Sequence, residues 1–401
     1  MSLKTLFTLI VPGALTLVGA GLLLLYVPGS PVLTQAARGY PLVALAVAML
    51  LAWRMHRSRL LLIAMLLLGL HAALHPTALG DDVAPRALAA VLLPLLAAAL
   101  ALSADRNLAT RYVLLQAMLI LLPAGAAIAV LTVAPADTAR VLTLELVDPL
   151  YTDWMRLPQI PMIAAFLGLG TLTLIALLRE KPADAGLGWA TLAGVLAIAA
   201  PAGSTARGIW LLAAGLILII ALVESSYIMA FHDELTGLPA RRALAQTLAA
   251  LRPPYTVAIV DVDNFKSFND RYGHDVGDQV LRMVATRLGA VTGGGRAYRS
   301  GGEEFTIVFP GRTKAEVLPH IEQVREAVAE EKFAVRRKPR PSKTEGERKR
   351  GSRTNEKRLG VTISVGLAGV DARNPTPDMV IKAADKAMYR AKQGGRNRVV
   401  A

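Results

Sequence analysis

The sequence predicts an all-α polytopic membrane bundle over residues 1–226, then a short linker at 227–235 and an α/β domain over 236–401. Three observations point there. Hydrophobic residues make up 54% of the chain and mean hydropathy is +0.45, high for a protein that lives in water. The excess is confined to the residues before Phe231, which are rich in Leu and Ala; beyond it the charge density rises to that of a soluble domain. The C-terminal part then alternates β-like runs with helical patterns, the order expected of a mixed sheet. A chain of 401 residues has room for two or three such units.

Eight apolar runs reach or approach the roughly 20 residues that span a bilayer as a helix. They cover about 5–27, 39–54, 59–75, 85–104, 111–133, 158–178, 187–203 and 206–226. The second, third and seventh are short. Pro and Gly interrupt several, which a helical bundle tolerates. Loop cations orient the bundle. Arg54, Arg57 and Arg59 occupy one turn, Arg106 and Arg111 another, and Arg179 and Lys181 a third. These alternate turns read as cytoplasmic. The opposite turns carry Asp81 and Asp82, or Glu145, Asp148 and Asp153. An even number of crossings leaves both termini on the cytoplasmic side, in agreement with the charges. The first run is longer than a signal-peptide core and reads as a retained helix. The loop Ala134–Leu157 reads as an interfacial connector. No pattern of intramembrane acids or histidines marks a transport path.

The absence of cysteine excludes disulfides and thiolate metal sites. The net charge of +14 is largely local: residues 336–358 hold eleven Lys or Arg against Glu345, Glu347 and Glu356. This Pro-, Lys-, Arg- and Ser-rich stretch predicts a disordered, solvated insertion between two strands. Anionic lipid is the second reading for it. Nucleic acid is not expected, since no aromatic residue interleaves the run.

In the C-terminal part, Thr256–Val262 predicts a buried strand that ends in Asp261-Val262-Asp263. Carboxylates at i and i+2 share one side of a strand, and hard oxygen ligands suit Mg²⁺. A solvated strand end would look the same. Further on, Gly301-Gly302-Glu303-Glu304 between Arg296–Arg299 and Phe305–Phe309 predicts a hairpin whose glycines let a ligand approach the backbone. Helices are predicted over 277–289, 313–331 and 376–392, with a further strand at 361–368.

These segments together resemble the GGDEF family of diguanylate cyclases. Gly301-Gly302-Glu303-Glu304-Phe305 is similar to its signature in the GGEEF form. Asp233-Glu234-Leu235-Thr236-Gly237-Leu238 resembles its DxLTGL opening, and Asp261-Val262-Asp263-Asn264-Phe265-Lys266 its DxDxFK block. Asn269-Asp270 with Gly273-His274 and Gly277-Asp278 resembles the next block; Ala384-Asp385 through Lys392, then Gly395-Arg396-Asn397, resembles the closing helix. The resemblance covers about 170 residues and says nothing of the membrane half.

It implies a ferredoxin-like fold of the cyclase and polymerase-palm type. It also implies a homodimer in which two GTP are condensed into cyclic di-GMP, with Mg²⁺ or Mn²⁺, at the cytoplasmic face of the bacterial inner membrane. Asp261, Glu303 and the carbonyl of Val262 are then metal ligands. Glu303 or Glu304 helps deprotonate the 3′-hydroxyl, and Lys266 reaches a phosphate. Asn269 and Asp278 read guanine, because a carboxylate accepts from its N1–H and N2–H₂, which adenine lacks. His274, Gly301, Gly302, Lys392 and Arg396 complete the substrate site. Lys392 and Arg396 are also plain C-terminal helix cations, and Asp278 an N-terminal helix acid.

Two departures stand out. The family's inhibitory RxxD has Thr292 for its Arg and Gly295 for its Asp, so no inhibitory product site is expected. Ala240 stands where the family has Asn in the opening block. A non-catalytic cyclic di-GMP receptor is the alternative. Asp261, Glu303 and Lys266 are kept while the RxxD is lost, the reverse of what such a receptor needs.

Overall fold

The computed structural model describes residues 3–74, 83–103, 105, 111–148, 156–201, 203–334 and 358–401. Asp81, Asp82, Arg106, Asp153 and the basic stretch apart from Arg358 lie outside them. The chain divides into two compact units, Met1–Tyr227 and Ile228–Ala401.

The first unit is helical: α1 Leu3–Tyr26, α2 Pro31–Arg54, α3 Ser58–Ala73, α4 Val83–Leu102, α5 Arg111–Val133, α6 Pro135–Leu142, α7 Gln159–Arg179, α8 Pro182–Ala199 and α9 Thr205–Phe231. Among the described residues seven of these, all but α3 and α6, are long and apolar enough to cross a membrane. The apolar run expected at 59–75 forms α3, which is shorter at 16 residues. The run expected from 39 begins earlier, at Pro31, because Pro at the first helical position needs no N–H partner. The connector read at 134–157 starts with α6. Beyond it, the Gln159 side chain accepts from the N–H groups of Leu146 and Val147 at 2.6 and 2.9 Å and donates to the Val147 carbonyl at 2.6 Å. α9 runs on to Phe231, into the segment expected as a linker.

All three of the turns read as cytoplasmic are tied together by charge. Arg59 donates to Asp184 at 2.5 Å, with both side chains buried, while Arg57 meets Asp105 at 3.0 Å. Arg59 and Arg179 both also donate to the Ala101 carbonyl. A buried pair of this kind adds little net stability, yet losing one partner would strand the other charge in an apolar bundle.

The second unit contains α10 Arg241–Ala249, β1 Tyr255–Val262, α11 Phe265–Tyr272, α12 His274–Gly289, β2 Arg296–Arg299, β3 Glu304–Pro310, α13 Lys314–Glu330, β4 Phe333–Ala334, β5 Arg358–Leu359, β6 Ile363–Gly369, α14 Pro377–Gln393 and β7 Val399–Val400. The main sheet runs β2-β3-β1-β6-β7. β1 lies in the middle, antiparallel to both neighbours, and β6 pairs with β7 in parallel. With α12 and α13, the strands β1, β2, β3 and β6 follow the ferredoxin-like βαββαβ order.

The two faces of β1 follow from its alternation. Ala258, Val260 and Val262 join Val284, Leu288, Ile321 and Val324 of α12 and α13 in one core. Tyr255, Val257 and Ile259 join Val380, Ala384 and Met388 of α14 in the other. α14 lies very close to the sheet at Gly366, where a Cβ would fall 2.1 Å from the Ala384 carbonyl oxygen and the Met388 nitrogen. Thr313 and Glu316 form a reciprocal capping box that starts α13.

Candidate active site

Asp261 continues the alternation of Tyr255, Val257 and Ile259, so its side chain emerges on the α14 face of the sheet. It is 3% exposed. One carboxylate oxygen, Oδ2, accepts from Lys392 Nζ on α14 at 2.8 Å; the other, Oδ1, is buried without a hydrogen-bond partner. Glu304 is its register partner across the β1–β3 ladder. Glu303 stands next to it, its carbonyl accepting from the Val262 N–H at 3.3 Å.

Burial pushes the Asp261 carboxyl above its usual range. The charges of Glu304 and Asp263 push the same way, while Lys392 opposes them. Burial also raises Glu303, helped by Asp261 and Glu304 and opposed by Lys392. Three carboxylates thus crowd around one Lys, and one of the Asp261 oxygens is buried without a hydrogen-bond partner. Among the described residues no three His, Cys, Asp or Glu side chains gather into a ready-made metal cage. Asp261 and Glu303 could supply two oxygen ligands to a cation, whose remaining ligands would be backbone carbonyl and substrate oxygens. That division suits Mg²⁺, which commonly binds through one or two carboxylates plus substrate phosphates.

The second carboxylate of the strand end, Asp263, lies on the same α14 face as Asp261, as the i, i+2 spacing predicts, since its partner Ser364 is the register partner of Asp261 across the β1–β6 ladder. Asp263 accepts from Ser364 and Thr362 hydroxyls and from the Asn397 backbone N–H. Unlike Asp261, it has both carboxylate oxygens engaged, at the point where β1 ends at Val262 and the chain bends, with Asn264 at φ 56°.

The glycine turn is held at both ends. The N–H groups of Ser300 and Gly301 donate to the Glu304 carbonyl. Arg299 donates to the Gly302 carbonyl and to Asp233, both at 2.7 Å. Burial alone would raise the Asp233 carboxyl, but hydrogen bonds from Thr236 and Arg299 outweigh it and hold it below the ordinary range. Arg299 is a site residue that the sequence reading missed, although it sits immediately before Ser300-Gly301-Gly302.

A second set of candidate residues lies on α11 and α12. The Asn269 side-chain oxygen is buried without a partner. Gly277 makes room for it: a Cβ there would sit 1.8 Å from that oxygen. Asp278, half-buried, follows directly, and His274 is exposed at the start of α12. Lys266 is exposed on α11, and Arg396 is exposed beyond α14 at φ 63°. At the expected inhibitory position, Thr292 is hydrogen-bonded to His320 Nδ1 at 2.7 Å, and Gly295 backs onto the Phe309 ring.

The family model described as diguanylate cyclase, GGDEF domain, matches residues 230–347 and 346–398. Response regulator PleD of Caulobacter vibrioides is 34% identical over 186 residues, covering 44% of this chain and 37% of that protein. Diguanylate cyclase DgcM of Escherichia coli is 33% identical over 180 residues, covering 43% and 38%. The chain therefore spans less than half the length of the curated relatives it matches. Among solved structures, the coiled coil and GGDEF domain of DgcB from Caulobacter crescentus, in complex with c-di-GMP, aligns at 29% identity. It covers 45% of this chain and 89% of that one with a TM-score of 0.37. An active GGEEF domain of a diguanylate cyclase from Vibrio cholerae aligns at 29% identity, covering 40% and 89%, with a TM-score of 0.31.

Proposed function

We propose that the protein is a diguanylate cyclase that condenses two GTP into cyclic di-GMP and two pyrophosphates, a reading supported by the match of residues 230–347 and 346–398 to the GGDEF family model. The observation that carries the reading is Asp261: buried, paired on one oxygen with Lys392, bare on the other, and flanked by Glu303 and Glu304. A binding-only domain has no need of a carboxylate kept at such cost.

Asp261, Glu303 and the Val262 carbonyl would hold the divalent cation, Mg²⁺ or Mn²⁺, which supplies charge neutralisation on the triphosphate. Glu303 or Glu304 accepts the proton of the attacking 3′-hydroxyl. The raised proton affinity of Glu303 suits a base working nearer neutrality than an ordinary carboxylate. The 3′-oxygen bonds to the α-phosphorus of the other GTP, the bond to the bridging oxygen breaks, and pyrophosphate leaves. Lys266, Lys392 and Arg396 receive the phosphates, with Gly301 and Gly302 letting them approach the turn and His274 at the pocket rim. Asn269 and Asp278 read the guanine edge; the bare buried oxygen of Asn269 would gain a partner there.

Each domain carries one GTP, so two copies must face each other, and a homodimer is the working unit. The seven described apolar helices of spanning length support a reading in which the enzyme sits in the bacterial inner membrane, with residues 236–401 in the cytoplasm and the membrane unit governing the pairing. The receptor alternative is disfavoured because Thr292, engaged with His320, replaces the Arg that product binding would need.

The test is turnover of GTP by the full-length protein with Mg²⁺. The parent should release cyclic di-GMP and pyrophosphate. Asp261→Ala and Glu303→Ala should each lower turnover by at least ~10²-fold, the scale of losing a preorganised charge at the reacting centre. Parent-like turnover in either variant would end the metal assignment.

A further inference from the structure

Asp263 has no role in the chemistry above, yet it is 6% exposed and fully engaged. Its Oδ1 accepts from Ser364 Oγ at 2.6 Å. Its Oδ2 accepts from Thr362 Oγ1 at 2.6 Å and from the Asn397 N–H at 3.0 Å. Its own N–H donates to the Thr362 carbonyl at 2.9 Å. Three donors converge on the two oxygens of this side chain and leave neither without a partner. Two of these bonds stay within the β1–β6 edge. The third reaches 134 residues along the chain to the turn after α14.

That turn is an unusual piece of backbone. Gly395, Arg396 and Asn397 have φ of 111°, 63° and 45° in succession. Two of the three carry a Cβ, so the left-handed path must be imposed from outside. The restraints are few. The Arg396 N–H donates to the Ala391 carbonyl at 3.0 Å, Arg325 donates to the Asn397 side-chain oxygen at 2.9 Å, and the Val365 N–H donates to the Arg398 carbonyl at 2.9 Å. Among the described residues Asp263 adds a charged acceptor to these, and it directly follows the strand that carries Asp261.

We infer that Asp263 is a positioning residue: its carboxylate latches the C-terminal turn to the end of the catalytic strand, so that Lys392 and Arg396 are held ready for the substrate's phosphates. The inference deepens the cyclase reading and rests on it for the identity of the phosphates, while the latch itself stands on geometry alone. Asn at 263 would keep one acceptor oxygen for Thr362 and the Asn397 N–H and turn its amide towards Ser364, which can accept. Ala would keep nothing.

The experiment compares parent, Asp263→Asn and Asp263→Ala as full-length protein in detergent. It reads hydrogen exchange at the Asn397 amide, affinity for a non-hydrolysable GTP analogue with Mg²⁺, and KM and kcat. For Asp263→Ala the Asn397 amide should exchange at least ~10-fold faster, and KM for GTP should rise ~10-fold, with kcat within ~3-fold and the Mg²⁺ requirement unchanged, the pattern of lost binding rather than lost chemistry. For Asp263→Asn both exchange and KM should rise only ~2- to 3-fold, since a neutral acceptor makes weaker bonds than a charged one. A fall in kcat at constant KM, or a higher Mg²⁺ requirement, would make Asp263 a metal ligand and overturn the inference. Unchanged exchange at Asn397 in both variants would overturn it too. If Asp263→Ala does not fold, Asp263→Asn decides by the same signs: parental exchange and KM sink the latch. A parent that makes no product while the exchange and analogue-binding changes appear would remove the cyclase reading and leave the latch standing.

Discussion

Asp261 and Asp233 are held in opposite ways, and the difference sets how the C-terminal unit responds to pH. Asp233 is held below its ordinary value of 3.8, against the effect of its own burial, by Thr236 and Arg299. Its contribution to stability is present above 3.8 and is lost as pH falls through the lower folded value. Asp261 is raised above 3.8 by burial and by neighbouring carboxylates. The folded state then binds the proton more tightly than the unfolded one, so stability falls as pH rises from 3.8 through the raised value. Glu303 adds a fall of the same sign. Melting followed against pH in a chelator should therefore show the C-terminal unit losing stability as pH climbs above about 4, on the carboxylate titration expected for such groups. Asp261→Asn should flatten that fall, and added Mg²⁺ should recover it for the parent but not for the variant. A parent whose melting temperature rises steadily over the same range would contradict this account. The sequence made Asp261 and Glu303 legible because their motifs are local and specific. It did not reveal that Lys392 pairs with Asp261, that Arg299 bridges Asp233 to the Gly302 carbonyl, or that Asp263 serves a different partner set. Each of those contacts joins segments far apart in sequence, and only the sheet brings them together.

At the level of elements, the position of Lys392 depends on how closely α14 lies on β6. Gly366 sets that spacing, since any side chain there would meet the helix backbone at Ala384 and Met388. Neither contact can rotate away. Gly366→Ala should cost at least ~1–3 kcal/mol, the range for overpacked cores, and more if α14 is displaced. Denaturant unfolding of the C-terminal unit measures this. Such a shift should also weaken GTP binding, because Lys392 moves with the helix. Parental stability in the variant would show that α14 can slide. Elements with strong local patterns were legible: β1 from its apolar run, the β2–β3 hairpin from Gly301-Gly302, and α12 to α14 from their periodicity, though α12 begins at His274 rather than 277. α10 and α11 were not, since helices of nine and eight residues carry too few apolar positions to show a period. β7 is two residues long and exists only through its pairing with β6.

For the whole molecule, the charge of the turns and the count of crossings make a joint statement about topology. Seven described helices have the length and composition to span a bilayer, and α3, at 16 residues, is the shorter eighth. If α3 also crosses, a reporter fused after Ser226 should read as cytoplasmic and one near Asp148 as external, following the loop cations. The reverse pattern at either site would mean that α3 does not cross or that another apolar helix lies in the membrane plane. Composition puts the change of character at about Phe231, and the two compact units divide at Tyr227 and Ile228. It was not enough to settle α3, because a span of that length depends on what its neighbours do to the local bilayer.

The strand order β2-β3-β1-β6-β7 carries one more consequence, for the growing chain. A ribosome delivers β1 first, then β3 to close one of its edges, but β6 about a hundred residues after β1. Until β6 emerges, the central strand shows a row of unpaired backbone groups on one side, the kind of open edge that invites mispairing. Synthesis at ~5–20 residues per second leaves that edge open for several seconds at least. Lys392 arrives later still, so the half-built sheet holds Asp261 beside Glu304 with no counter-charge at all. The nascent domain passes through a stage with its strands partly formed and its acidic cluster uncompensated, and charge balance is restored only when α14 docks.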